Sequence, residues 1–470
     1  MSDFKRSLKS SSGRMVAGVL GQVINTFGQI AVFPLFLLFW TKRAYGEWLV
    51  LTAVPNLLWS LEGGLGLLAL NQMVLRTSVN DWKGANRIFQ NIFFLQMIIS
   101  VILVVGGYFV ATCFNFLPFL GIIETSRSNA AFILVTMLIY MAFGWGIALL
   151  RAPYFAAARS TRGTMLTNVW KLTDFMVIAL VLVFHGSASL VAVGETVVVA
   201  TWVFLGCLDL RRICPEFRFS VREVSWSGCK AACHDGIPLF LLQAGNALFI
   251  QGYPLVISRT LGPLAVVNFT AIRTVTRVLL QGISTLTQAA SVELTSSLAK
   301  EKWELYMRWV KILTVCVVGA SVCGCIGLYL FGPWVISLWT HGKVSVSATL
   351  LTLFGISVAL QAGWTLYGTL VYTANKHHLQ CYIYFGVTLL ALAIGWCTIG
   401  HFGFGFVPIL MIATDFVLLI VTLVLCVRNL KQVNFFSMVA LFHPNFYWNK
   451  IRWVIARSRG EGPYFWPSNR

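Results

Sequence analysis

Charge is what this sequence has least of. Charged residues are 11% of 470, and hydrophobic residues are 58%. A soluble domain is about 25% charged. A chain this poor in charge cannot cover a water-facing surface, so a soluble enzyme and a disordered chain are both excluded. Acid is scarcer than base. Sixteen Asp and Glu face thirty-five Lys and Arg, for a net charge of +19. In a soluble protein that excess would suggest nucleic acid. In a chain of mean hydropathy +0.78 it points instead to the positive-inside rule and to anionic lipid, and no nucleic-acid partner is expected. The eleven cysteines are scattered through apolar segments and read as small buried hydrophobes. Cys229, Cys233 and His234 are the one close group. They lack a second ligand pair, so no metal site is expected. No secretory signal is visible: the first apolar stretch is too long for one, and no small-residue cleavage site follows it.

What the sequence has in quantity is long apolar runs. Twelve stretches carry little or no charge: 15–40, 47–70, 88–111, 130–150, 164–184, 188–208, 236–257, 264–290, 312–330, 346–372, 381–399 and 404–427. Each can cross a bilayer as a helix, which takes about 20 residues. With the amino terminus inside, 28 Lys and Arg fall on the inner side and 5 in the outer loops, alternating at every connection. Both termini are therefore expected in the cytoplasm. Residues 1–14 form an inner leading segment. Spans 1–6 (15–208) and 7–12 (236–427) form two halves, joined by the longest inner connection, 209–235. Residues 428–470 mix basic and aromatic side chains and are expected to lie at the inner headgroup layer.

A shift of 220 residues brings Phe33-Pro34-Leu35 onto Tyr253-Pro254-Leu255, each late in the first helix of its half. It also brings Asp81-Trp82-Lys83 beside Glu301-Lys302-Trp303. A repeated six-helix plan places a substrate path between the halves.

Ionisable residues at bilayer depth usually face a protein interior or a wet cavity. Span 8 carries Thr270, Arg273, Thr274, Arg277, Gln281, Ser284, Thr285 and Gln288 at three- and four-residue steps, a polar stripe on one helix face. Phe269, Val275 and Leu279 mark the opposite face. Arg273 and Arg277, one turn apart near the midplane, form a candidate site for a phosphate or another anion. The alternative is pairing with Glu62, Glu195 or Asp415. Gln22, Asn25 and Gln29 in span 1, and Gln243 and Asn246 in span 7, share a face within their helices. With matching halves they would line one central cavity; otherwise they bond between helices. Lys171 and Asp174 in span 5 read as a local neutralised pair. Glu62 and Asp415 are candidate coupling carboxylates.

Several stretches resemble a known family. They are Gly21-Gln22 through Pro34-Leu35, Ala44-Tyr45-Gly46-Glu47-Trp48, Leu61-Glu62-Gly63-Gly64-Leu65-Gly66, and Asn80-Asp81-Trp82-Lys83-Gly84-Ala85-Asn86-Arg87. They are similar to the polysaccharide-exporter branch of the multidrug/oligosaccharidyl-lipid/polysaccharide (MOP) exporter superfamily, and within it to the Wzx-type flippases. Glu62 departs mildly from the family's usual Asp-x-Gly-Leu-Gly. The resemblance implies an all-α, MATE-like membrane fold of two six-helix lobes around a central cavity that opens to either side in turn. It implies a flippase that carries a polyprenyl-diphosphate-linked oligosaccharide from the cytoplasmic to the outer leaflet of the bacterial inner membrane, for O-antigen or other polysaccharide biosynthesis. Its partners would include the polysaccharide polymerase machinery. It would need no cofactor beyond H+ or Na+ as coupling ion, and Arg273 and Arg277 would supply the diphosphate site. The related lipid II flippases usually have fourteen spans, two more than here. Two rivals remain open: a cation-coupled multidrug exporter of the same superfamily, which should favour cavity carboxylates over arginines, and a membrane glycan polymerase or ligase. The enzyme would need a substantial outer loop. The outer loops here are short, and His185, His341 and His401 stand alone at span edges.

Overall fold

The computed structural model describes residues 2–218, 220, 223–299, 302–373 and 378–429. The basic aromatic segment expected at 428–470 lies outside the described residues from 430 on, as does Glu301 of the second repeat match. Every regular element among the described residues is helical, and twelve helices are long and apolar enough to span a membrane. They begin at Val16–Phe39 and end at Phe406–Arg428, and each coincides with one stretch expected from the sequence.

Short polar residues at the turns set the helix starts. Thr41 accepts from the N–H of Ala44 and opens α2 (Lys42–Ser78). Asp81 accepts from Gly84 and opens α3 (Trp82–Cys113). Ser126 opens α5 (Arg127–Leu149), Ser187 opens α8 (Ala188–Ile213) and Ser225 opens α9 (Trp226–Ala247), each in the same way. These oxygens take up N–H groups that have no partner in the first turn. Between α3 and α5 lies the short α4 (Leu117–Leu120), and α6 (Arg151–Ala156) leads into α7 (Ser160–Val183). α1 (Ser2–Phe39) packs on α7, and α2 packs on α3, α5 and α9.

Two compact contact units divide the chain. One holds Met1–Val278, Ile326–Gly355 and Cys381–Thr414, and the other Leu279–Cys325, Ile356–Gln380 and Asp415–Arg470. The unit borders fall within helices, whereas the six-plus-six division read from the sequence falls in the connection 209–235. The first unit's core gathers Phe33, Phe36, Tyr45, Trp48, Tyr253, Phe269 and Phe354. The second gathers Ile283, Leu294, Tyr306, Val310, Leu366 and Leu370.

Polar anchors fix the loops of the first unit. The Glu47 carboxylate, fully buried, accepts the N–H groups of Ile123, Glu124 and Thr125, each at 2.8 Å, and the Thr125 hydroxyl at 2.5 Å. One side chain of the Ala44–Trp48 stretch thus holds the loop that leads into α5. At the other ends of these helices, Asp209 accepts from Arg162 Nε at 2.9 Å and Nη2 at 2.5 Å, and from the Tyr154 hydroxyl at 2.6 Å. The connection after α8 is fastened to α3. Asn86 Oδ1 accepts from Arg218 N, Gln90 Oε1 from Glu223 N and Asn91 Oδ1 from Ser225 N, at 2.9, 3.1 and 3.0 Å.

Candidate functional site

Span 8 lies in α11 (Pro263–Ala299), and its approach is bent. Span 7 is interrupted: α9 ends at Ala247, a π-helical turn occupies Leu248–Gly252, and α10 (Tyr253–Leu261) restarts with Pro254 in its first turn. Pro254 has no N–H to give the Ile250 carbonyl four residues earlier. That carbonyl is taken by Arg273, whose Nη1 donates to it from α11. The Arg273 guanidinium also lies over the Phe269 ring, 5.3 Å from its centroid. Cation and ring therefore brace the bulge together.

The carbonyl is a neutral acceptor and supplies no compensating negative charge. The ion pairs within 4.0 Å among the described residues are Arg43–Glu124, Arg76–Asp81 and Arg162–Asp209. Neither Arg273 nor Arg277 takes part in one. Arg273 feels the charge of Arg277, and Arg277 lies within electrostatic reach of Tyr384. The pairing weighed as the alternative does not form with Glu62 or Glu195, which have other neighbours.

The remaining stripe is less polar than its composition. Thr274 donates to the Thr270 carbonyl and Thr285 to the Gln281 carbonyl, each within the helix. Such back-bonds occupy the hydroxyl proton locally. Phe269, expected on the opposite face, instead lies one turn from Arg273 and flanks the stripe; it is fully buried, packed on Tyr253 and Phe354 with ring centroids 6.1 and 5.9 Å away.

In span 1, Asn25 Oδ1 accepts from Lys171 Nζ at 3.4 Å, while Gln22 is exposed and Gln29 half-buried with a partner. This corrects the expectation for Lys171 and Asp174. Among the described residues they form no ion pair, because each has its partner on another helix. Lys171 reaches α1. Asp174 accepts from the Tyr140 hydroxyl of α5 at 3.1 Å and lies within electrostatic reach of Glu195 on α8. All three are buried, and Asp174 Oδ1 and Glu195 Oε2 have no hydrogen-bond partner among the described residues. The trio Tyr140, Asp174 and Glu195 was not legible as a group. Each carboxylate stood alone in its span, and nothing in the sequence marked Tyr140.

Glu62 is buried and accepts from Gln96 Nε2 at 3.4 Å. Its neighbouring glycines make room on both sides. A Cβ at Gly66 would lie 2.2 Å from Glu62 Oε1, and one at Gly64 would lie 2.9 Å from backbone atoms of Phe240 in α9. Gln243 packs at Gly63, and Asn246 is half-buried on the same helix. Asp415, on the helix Phe406–Asn429, is fully buried in the second unit. It accepts from Ser357 Oγ at 2.6 Å and Trp364 Nε1 at 3.0 Å. No cluster of three or more His, Cys, Asp or Glu suited to a metal occurs among the described residues.

No family model matches the sequence, and no curated protein matches it. Solved structures do. The chain is similar to a multidrug-resistance MATE family transporter of the MOP superfamily in an inward-facing conformation, with 13% identity, 90% of this chain and 100% of that one covered, and a TM-score of 0.73. An outward-facing structure of a MATE family transporter matches at 14% identity, 90% and 95% coverage, and a TM-score of 0.64. So does a MOP superfamily transporter from Pyrococcus furiosus, described as having a binding pocket of reverse polarity that suggests a different function, again at 14% identity, 90% and 95% coverage and a TM-score of 0.64. With twelve helices long and apolar enough to span a membrane, the chain shares the all-α fold of these MATE family transporters.

Proposed function

We propose that the protein is an alternating-access transporter, not an enzyme, and that its cargo is an amphiphile with an anionic head: a polyprenyl-diphosphate-linked oligosaccharide moved from the cytoplasmic to the outer leaflet. The observation that carries this reading is the pair Arg273 and Arg277, one turn apart in span 8 with no carboxylate within ion-pair distance among the described residues. Two uncompensated cations at bilayer depth favour a phosphate, which a guanidinium matches with forked hydrogen bonds. Arg273 is held at the Ile250 carbonyl, so Arg277 is the freer of the two to engage a diphosphate. The distribution of Lys and Arg supports an inner-membrane protein with both termini in the cytoplasm. This reading calls for anionic lipid at the inner face and for a polysaccharide polymerase to receive the product.

A second reading, a cation-coupled multidrug exporter, has better support from the solved structures, whose descriptions name multidrug transporters. Tyr140, Asp174 and Glu195 also favour it. Two buried carboxylates in electrostatic reach of each other need a shared proton or a monovalent cation between them. The trio is compatible with H+ or Na+ coupling under either cargo.

Proteoliposomes with a fluorescent polyprenyl-diphosphate glycan in one assay and ethidium in another separate the readings. The first predicts glycan flipping that Arg277→Gln abolishes and no ethidium efflux. Ethidium efflux driven by an H+ or Na+ gradient, with no flipping, would replace it by the second.

A further inference from the structure

A cavity of about 690 Å³ lies away from span 8, where the end of α2, the start of α3 and the start of α9 meet. Arg76, Lys83, Arg87, Asn91, Ser225 and Gly228 are among its lining residues. Three cations and one carboxylate, Asp81, face this space. Both Asp81 oxygens are engaged: Oδ1 accepts from Gly84 N at 2.8 Å and Oδ2 from Arg76 Nη1 at 3.1 Å. Lys83 and Arg87 have no carboxylate partner among the described residues. The positive ends of two helices open here as well, α3 behind Asp81 and α9 behind Ser225.

One buried polar group completes the arrangement. Asn91 is 5% exposed, and its Oδ1 accepts the Ser225 N–H at 3.0 Å. Its Nδ2 has no acceptor among the described residues and lies beside Gly228, where a Cβ would come within 2.2 Å of it. The cavity thus presents an amide donor from its buried wall, two free cations at its mouth and two helix amino termini. These are the elements that bind phosphate oxygens. Leu75, one of the lining residues, is exposed, as are Val79 just after α2 and Trp226 at the start of α9.

We propose that this cavity is a binding site for a phosphate-bearing headgroup of the inner leaflet, with Lys83, Arg87 and the Asn91 amide as its donors and the exposed Leu75 and Trp226 against the acyl chains. The site is separate from Arg273 and Arg277 and does not depend on the cargo assigned to them. It lies on the side where Lys and Arg concentrate, the side that meets anionic lipid.

The test is titration of the purified full chain in neutral detergent, read by calorimetry. The ligands are dihexanoyl phosphatidylglycerol, dihexanoyl glycerol, which has no phosphate, and inorganic phosphate. The site predicts saturable binding of phosphatidylglycerol and none of dihexanoyl glycerol. Lys83→Gln with Arg87→Gln should weaken phosphatidylglycerol binding roughly thirtyfold, and Lys83→Arg with Arg87→Lys should restore most of it. Comparable binding of inorganic phosphate, equally sensitive to the double substitution, supports the phosphate chemistry and assigns the source to a soluble anion instead of a lipid. Should the glutamine double variant fail to fold, Asn91→Leu serves, and a loss of at least fivefold is expected. Binding that is unchanged in these variants, or that is lost in Arg277→Gln instead, overturns the proposal.

Discussion

The indole N–H of Trp339 donates to the Ile30 carbonyl at 2.8 Å, and Ile30 is the residue whose carbonyl is left without its helical donor by Pro34, four positions on. The same substitution of donors occurs 220 residues later, where Arg273 takes the Ile250 carbonyl freed by Pro254. Two prolines that the sequence places in register are thus accommodated alike, each by an N–H from a distant helix. Trp339 is fixed for this by stacking on Phe33, with ring centroids 4.8 Å apart. Either helix would otherwise carry an unsatisfied carbonyl at its bend.

This predicts a coupling that can be measured. Arg273→Met removes the donor and should lower stability by about 1–3 kcal/mol, the penalty for a buried polar group left unpaired. Pro254→Ala supplies a backbone N–H in its place, so the double variant should recover at least half of the loss. Thermal unfolding in detergent over the full double-mutant cycle gives the interaction term. Strict additivity would show that the Arg273–Ile250 bond is not what Arg273 contributes.

Glu47 offers a second test. Its carboxylate gathers four donors from residues 123–125. Glu47→Gln keeps the shape but replaces one acceptor oxygen by a donor that faces Thr125, and should cost about 2–3 kcal/mol. Limited proteolysis of intact cells, applied from outside, should cut the loop at 121–126 faster in this variant. Equal cleavage rates would argue against the anchor or against the outer placement of the loop.

Gly64 and Gly106 make a contrasting pair. A methyl at Gly64 meets the Phe240 backbone at 2.9 Å, whereas one at Gly106 meets nothing within 4 Å. Gly64→Ala must push α2 away from α9, and its yield of folded protein by size-exclusion chromatography should fall severalfold. Gly106→Ala should be neutral, or stabilising by up to about 1 kcal/mol from helix propensity. The reverse ranking would mean that α2 and α9 do not meet at Gly64.

Asp415 separates a structural from a coupling role. Ser357 and Trp364 both donate to it. Asp415→Asn turns an NH2 group toward one of these donors and should destabilise the fold by about 1–3 kcal/mol in thermal unfolding. A fully stable Asp415→Asn protein that transports without its ion gradient would return Asp415 to the coupling role.

The spans were legible because an apolar run of bilayer length leaves the backbone no choice but helix. Pro34, Pro254 and the glycines around Glu62 were legible as bends and close approaches, since those residue types impose them locally. Their partners were not: Trp339 and Arg273 reach the freed carbonyls from other helices, and no spacing within one segment encodes that. Lys171 and Asp174 were misread for the same reason. Adjacency along the chain suggested a pair, but Lys171 bonds to Asn25 on α1 and Asp174 to Tyr140 on α5. Nothing in the sequence marked Asn86, Gln90 and Asn91 as a clasp; the four-residue step from Asn86 to Gln90, one helical turn, was the available signal.

The grip of those three amides on the 218–225 connection has a further meaning. Each holds a peptide N–H, at Arg218, Glu223 and Ser225, and no side chain of the connection enters the bond. The segment that links α8 to α9 can therefore exchange Arg218 or Glu223 for almost any residue but proline without losing a clasp, while shortening it would pull a clasp open. Its length is under constraint at all three clasps, and its composition only at Ser225, whose hydroxyl also caps α9.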